Sequence, residues 1–85
     1  MPLTIAYFSW VRERMGRDSE EVDPPAEVQR IDELVAWLCA RDAAGAAAFA
    51  DPRRIRAARD SAMVPLSAPI AGAREIALFP PVTGG

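Results

Sequence analysis

The chain has no histidine and no lysine, and it has a single cysteine, Cys39, in 85 residues. Without a second cysteine no internal disulfide can form. Without histidine there is neither a triad base nor the usual zinc ligand, so Cys39 has no partner to activate it, and its place beside Leu38 and Ala40 predicts a buried, inert thiol. All ten basic residues are arginine. An alanine- and arginine-rich composition accounts for this, although it also means that an acyl group activated on this chain would meet no lysine of its own. No apolar run is long enough to span a bilayer, and no basic stretch followed by an apolar segment opens the chain. A soluble, cytoplasmic protein is therefore expected. The net charge is −2 with both signs interleaved, which excludes the basic stripe of a nucleic-acid binder. Neither nucleic acid nor membrane is an expected partner, and no metal site is expected.

What is present is enough for one small domain, since 51% of the residues are hydrophobic. Residues 3–8 alternate as a strand, with Leu3, Ile5 and Tyr7 facing one way and Thr4, Ala6 and Phe8 the other. Ser9 is the expected N-cap of a short helix, Trp10 to Met15, that Gly16 ends. Asp18 to Asp23 reads as a second strand anchored by Val22 and joined to the first by a hairpin around Gly16-Arg17. Ile31, Leu34, Val35 and Leu38 recur at helical spacing, with Trp37 flanking the stripe. Asp42 to Ala50 predicts a second, weaker helix anchored by Phe49. Arg54 to Ala58, Ala62 to Val64 and Glu75 to Phe79 predict three more strands, with a turn at Asp60-Ser61. This order predicts an α+β fold of β-grasp, ubiquitin-like type: a mixed sheet, a helix packed on one face, and first and last strands parallel at the centre.

The sequence closes on Phe79-Pro80-Pro81-Val82-Thr83-Gly84-Gly85. The prolines fix an extended backbone and offer no N–H to a sheet. Six residues from Pro80 to Gly85 reach about 18 Å at a polyproline rise. Glycine has no Cβ, so Gly84-Gly85 can enter a channel too narrow for other residues. The expected division is a β-grasp domain at 1–79 and an extended reactive tail at 80–85, with the carboxylate of Gly85 as the reactive group and Gly84 beside it.

This closing heptapeptide resembles the C-terminal signature of the small subunits of molybdopterin synthase, the sulfur carriers of molybdenum cofactor biosynthesis. Tyr7-Phe8, Val11-Arg12-Glu13, Gly16, Glu20-Glu21-Val22, Ile31, Leu34 and Glu75 fall where that family places similar residues. Two departures lie in connections: the turn at Arg59-Asp60, where the family often has asparagine, and Ala71-Gly72-Ala73-Arg74, which lacks the usual acidic turn.

The resemblance implies that a ubiquitin-activating-type adenylyltransferase, a nucleotide-binding partner, uses ATP and Mg to adenylate Gly85. A sulfur donor then converts it to a thiocarboxylate. The tail would give this sulfur to cyclic pyranopterin monophosphate in the large subunit of the synthase, in a heterotetramer of two small and two large subunits. No cofactor is expected on this chain itself, which would be the non-catalytic, reagent-bearing subunit. Strand alternation places Phe8 and Phe79 together on the face away from the helix, with Met63 beside them, as a docking surface continued by Pro80, Pro81, Val82 and Thr83. Arg12 resembles a family residue that pairs with the activating enzyme. Two alternatives share the fold and the Gly-Gly end: a carrier for thiazole, cysteine or tRNA thiolation, and a ubiquitin-like protein modifier that forms isopeptides.

Overall fold

Leu3, Ile5 and Tyr7 all point the same way along the first strand, β1 (Leu3–Tyr7), and all three are buried. The computed structural model describes residues 2–81. After β1 come helix α1 (Ser9–Met15), strand β2 (Ser19–Val22), helices α2 (Ile31–Arg41) and α3 (Ala43–Ala48), and a 3-10 turn at Pro52–Arg54. Strands β3 (Arg56–Arg59), β4 (Ala62–Val64) and β5 (Glu75–Phe79) complete the chain order. The five strands form one mixed sheet in the order β2-β1-β5-β3-β4. β1 and β5 are parallel at its centre, and the other pairs are antiparallel. This is the β-grasp arrangement expected from the element order.

The hydrophobic core lies on one face of the sheet. Leu3, Ile5, Tyr7, Ala57, Ile76 and Leu78 cluster there with Ile31, Leu34, Val35 and Leu38 of α2, with Val11 and Met15 of α1, and with Phe49. The helical stripe read from the sequence is therefore the buried stripe of α2. Its first N–H groups are satisfied from two sides. Glu33 accepts from the Arg30 backbone at 3.0 Å, and the loop after β4 offers carbonyls: Ile31 donates to Ala68 at 3.0 Å and Asp32 to Leu66 at 2.8 Å. Asp42 caps α3 by accepting from the Gly45 N–H at 2.8 Å. Gly45 sits so close to α2 that an added Cβ would lie 1.8 Å from the Leu38 carbonyl oxygen. The glycine is what lets α3 approach, not a weakness in the helix.

Several boundaries differ from the sequence reading. β1 ends at Tyr7, and Phe8, not Ser9, is the residue before the helix; Ser9 is already the first helical residue, at φ 57. Gly16 does end α1, with φ 75 and its N–H donating to Arg12. β1 and β2 pair antiparallel as a hairpin would, but α1 is part of the connection. β3 begins at Arg56 instead of Arg54, because the Asp51 carboxylate accepts from the Arg53 N–H and holds Pro52–Arg54 in a 3-10 turn. Cys39 is half-buried instead of buried, since it lies one position past the stripe that ends at Leu38. The two departures from the family pattern meet in space. Asp60 stands in a turn with φ 49, followed by Ser61 at φ 74, and its carboxylate accepts from the backbones of Arg74 and Glu75 at 2.9 Å each. The start of β5 is thus capped by a carboxylate from the neighbouring β3–β4 turn, although 71–74 carry no acid.

Among the described residues no helix is long and apolar enough to cross a membrane.

Candidate functional site: the open face of the sheet

Parallel pairing of β1 with β5 sets Ala6 opposite Ala77 and Tyr7 opposite Leu78. Side chains alternate, so Tyr7 and Leu78 go into the core while the residue that follows each, Phe8 just past the end of β1 and Phe79 at the end of β5, turns to the other face. The Phe8 N–H donates to the Leu78 carbonyl at 3.2 Å, which locks the end of β1 against the end of β5. Antiparallel pairing of β3 with β5 then sets Ala58 opposite Ala77, and Met63 on β4 lies opposite Ala58. An aromatic wall, an alanine floor and a methionine rim result.

Phe8, Ala58, Met63, Ala77 and Phe79 line an open depression of about 680 Å³ together with Ser9, Ser61, Glu75, Pro80 and Pro81. Phe8 is 49% exposed and Met63 is 68% exposed, and they are the exposed large hydrophobics among the described residues. Phe79 is half-buried. Five of the predicted partner-contacting residues, Phe8, Met63, Phe79, Pro80 and Pro81, are thus brought to one place. Arg12 is not: it lies on α1, exposed, 3.8 Å from the Asp18 carboxylate, outside the lining of the depression. Val82, Thr83, Gly84 and Gly85 lie outside the described residues.

Sequence reading missed Ser9, Ala58, Ser61, Glu75 and Ala77 as parts of this site. The alternation of β3 held a usable signal, because Ala57 is in the core and Ala58 must therefore face outward. Ser9 held none. Its left-handed φ is uncommon for a residue with a Cβ, and such positions concentrate at functional sites.

The electrostatic feature nearest the core lies on the covered face. The Tyr7 hydroxyl donates to Glu20 at 2.6 Å, and Arg41 donates to both oxygens of the same carboxylate at 3.0 and 2.8 Å. Burial, then the bond to Glu20, pushes the Tyr7 hydroxyl far above the ordinary tyrosine range. Burial alone would raise the Glu20 carboxyl, but the donors from Arg41 and Tyr7 outweigh it and hold it below the ordinary range. This group seals the β2 edge of the core and presents no free reactive atom. Among the described residues no group of three or more histidine, cysteine, aspartate or glutamate side chains is placed to hold a metal ion.

A hydrophobic sheet face beside the end of a central parallel strand is the arrangement expected of a β-grasp carrier. The family model described as the ThiS family matches residues 5–85. The chain belongs to the ThiS family. It is also 32% identical over 83 residues to the molybdopterin synthase sulfur carrier subunit of Escherichia coli strain K12, covering 98% of this chain and 99% of that protein. The resemblance read from the sequence is borne out. Among solved structures, a putative molybdopterin converting factor, subunit 1, from Pyrococcus furiosus superposes with a TM-score of 0.67 at 19% identity, covering 96% of this chain and 99% of that one. Small archaeal modifier protein 1 from Haloferax volcanii superposes with a TM-score of 0.65 at 20% identity, over 95% and 98% of the two chains. At these identities the two structures speak to the fold of this ThiS-family chain.

Proposed function

We propose that this ThiS-family protein is a ubiquitin-like sulfur carrier, and that it serves as the sulfur carrier subunit of a molybdopterin synthase. The observation that carries the reading is the identity of 32% with a protein of that name across nearly the whole of both chains. The open face supports it: a non-catalytic subunit needs a docking surface next to its reactive end, and the depression adjoins Phe79, Pro80 and Pro81. In this reading the chain ends at 79 as a folded domain, and 80–85 act as its tail.

The chemistry assigned to Gly85 is a two-step exchange. An adenylyltransferase partner uses Mg-ATP; the carboxylate oxygen attacks the α-phosphorus and pyrophosphate leaves. A sulfur donor then supplies sulfide-level sulfur as hydrosulfide, which attacks the acyl carbon; AMP leaves and the S–H proton goes to solvent, so that a C–S bond replaces the activated C–O bond. The thiocarboxylate is a better nucleophile than the carboxylate near neutral pH: its sulfur attacks cyclic pyranopterin monophosphate held by the large subunit and displaces an oxygen leaving group there. Water then cleaves the acyl C–S bond, leaving the sulfur on the pterin and returning Gly85 to its carboxylate. Phe8, Met63, Phe79, Pro80 and Pro81 are assigned to docking, with Val82, Thr83 and Gly84 threading the tail. Arg12, on α1, is assigned to the activating partner.

The direct test is intact mass after incubation with ATP, an activating enzyme and a sulfur source. The expected product is heavier by the difference between sulfur and oxygen, and a variant lacking Gly85 stays unchanged in mass. An unaltered mass in the full chain under conditions that load a known carrier overturns the reading. Docking is tested separately. Phe79→Ala is expected to weaken binding to the large subunit by about 2 kcal/mol, roughly thirtyfold. An unchanged affinity with a sharply lowered melting temperature would assign Phe79 to the core instead.

A further inference from the structure

Arginines cluster unevenly on this surface. On α1, the Arg14 guanidinium lies 4.5 Å from the centre of the Trp10 ring. From the 3-10 turn, Arg54 reaches the same ring at 5.3 Å. Both arginines are exposed, and Trp10 is half-buried against the core. Among the described residues neither Arg14 nor Arg54 makes an ion pair, whereas Arg12, Arg17, Arg30, Arg41 and Arg53 all do. Arg56 follows on the same stretch, exposed, with its guanidinium tied to the carbonyls of Arg53 and Ile55 at 3.0 and 2.9 Å. It stands opposite Phe79 in the β3–β5 register, and so faces the same side as the apolar depression.

The second tryptophan provides the contrast. Trp37 also carries an arginine, Arg41, at 5.7 Å, but Arg41 is engaged by Glu20 and Asp42. The Trp10 arginines have the stacking with no carboxylate in ion-pair contact: Asp51, the acid that feels the charge of Arg54, is itself paired with Arg53, and the other arginines without an ion pair, Arg56, Arg59 and Arg74, stack on no ring among the described residues. Stacking on a ring face holds a guanidinium in place and leaves its N–H edge outward. A planar, pre-oriented fork of this kind is matched by a carboxylate, which it binds through two parallel hydrogen bonds. In a chain of net charge −2, this concentration of unpaired positive charge runs against the overall balance.

We propose that Trp10, Arg14 and Arg54, next in the chain to Ser9 of the depression lining and joined by Arg56 on the open-face side of β3, form a recognition surface for an acidic segment of the protein partner that covers that face. The proposal rests on the open face being a docking surface, and it is independent of whether the tail carries sulfur. Charge complementarity selects the occupant: paired carboxylates of an Asp- or Glu-rich segment satisfy the two forks, while the apolar depression takes the uncharged part of the same partner.

The test is an NMR titration of the full chain with a capped hexaglutamate peptide. The expected result is a saturable shift of the Trp10 indole signal and of the Arg14 and Arg54 side-chain signals, with the Trp37 indole unmoved. Arg14→Gln/Arg54→Gln is expected to weaken the affinity by about tenfold or more, the scale of lost charge-assisted bonds. Arg30→Gln/Arg74→Gln, which removes equal charge elsewhere, is expected to change it less than about twofold because exposed charges at a distance are screened. Equal weakening by both pairs, or no shift at Trp10, overturns the proposal. So does tighter binding of a single-stranded oligonucleotide of matched charge at the same signals, which would assign the surface to nucleic acid. Because the mass assay reads only the tail and the titration reads only this surface, each can fail without the other.

Discussion

The two faces of the sheet are built from the same strands and yet have opposite chemistry. On the covered face, Ile5, Tyr7, Ile76 and Leu78 are large, and they interlock with α2 until almost no surface is left to water. On the open face the equivalent positions are Ala6 and Ala77, with the large residues displaced to the strand ends as Phe8 and Phe79 and to the edge as Met63. Small residues under an aromatic wall make a depression; large residues under a helix make a core. Burial on the covered face stabilises this domain by itself, whereas the apolar area of the open face gains its free energy only when a partner removes it from water.

The strongest way to break this contrast is at the centre of the covered face. Leu38→Ala removes a fully buried side chain of α2 and is expected to cost about 2–5 kcal/mol, measured by urea or thermal unfolding. A loss below about 1 kcal/mol would mean that the helix is loosely seated and that the two faces differ less than their burial suggests.

The edge of the covered face is expected to give a smaller effect with a pH signature. Glu20→Ala leaves the Tyr7 hydroxyl without its acceptor, at a cost of about 1–3 kcal/mol. In the native protein the Glu20 carboxyl is held below its ordinary value. Its stabilising contribution is therefore present above the unfolded value of about 4.3, and is lost as pH falls through the lower folded value. Tyr7 works in the opposite direction: its hydroxyl is raised, so its contribution is intact below about 10 and disappears as pH rises beyond that through the folded value. Unfolding midpoints measured across acid pH should converge for Glu20→Ala and the native protein. Parallel curves would show that the carboxylate does not titrate with folding.

The smallest effect on stability is expected on the open face. Met63→Ala should leave unfolding within about 0.5 kcal/mol of the native protein while weakening binding of the large subunit proposed as its partner. If its stability falls as far as that of Leu38→Ala, the rim belongs to the core and the contrast between the faces fails. Taken with Phe79→Ala, this variant separates the half-buried wall of the depression from its exposed rim.

Local chemistry in the sequence determined the element list. Alternation gave β1 and β5, the spacing of Ile31, Leu34, Val35 and Leu38 gave the buried stripe of α2, and Gly16 gave a helix end, because each depends on side chains within a turn or a pleat of one another. The same alternation placed Phe8 and Phe79 on the outward face, and the closing heptapeptide carried the family resemblance. Only the tertiary structure decided which distant residues meet. Nothing local joins Tyr7 to Glu20 and Arg41, 13 and 34 positions away; β1–β2 register and the C-terminal end of α2 bring them together. The alanine floor of Ala58 and Ala77 needs the β3–β5 register, and the meeting of Arg14 and Arg54 over Trp10 needs a residue of the 3-10 turn to reach a ring on α1. Periods and the glycine end of α1 are short-range and legible in the sequence, whereas the N-cap of α1 was not, since Phe8 and not Ser9 precedes the helix; registers and cross-chain charge contacts follow from burying one shared core, which no single segment can do alone.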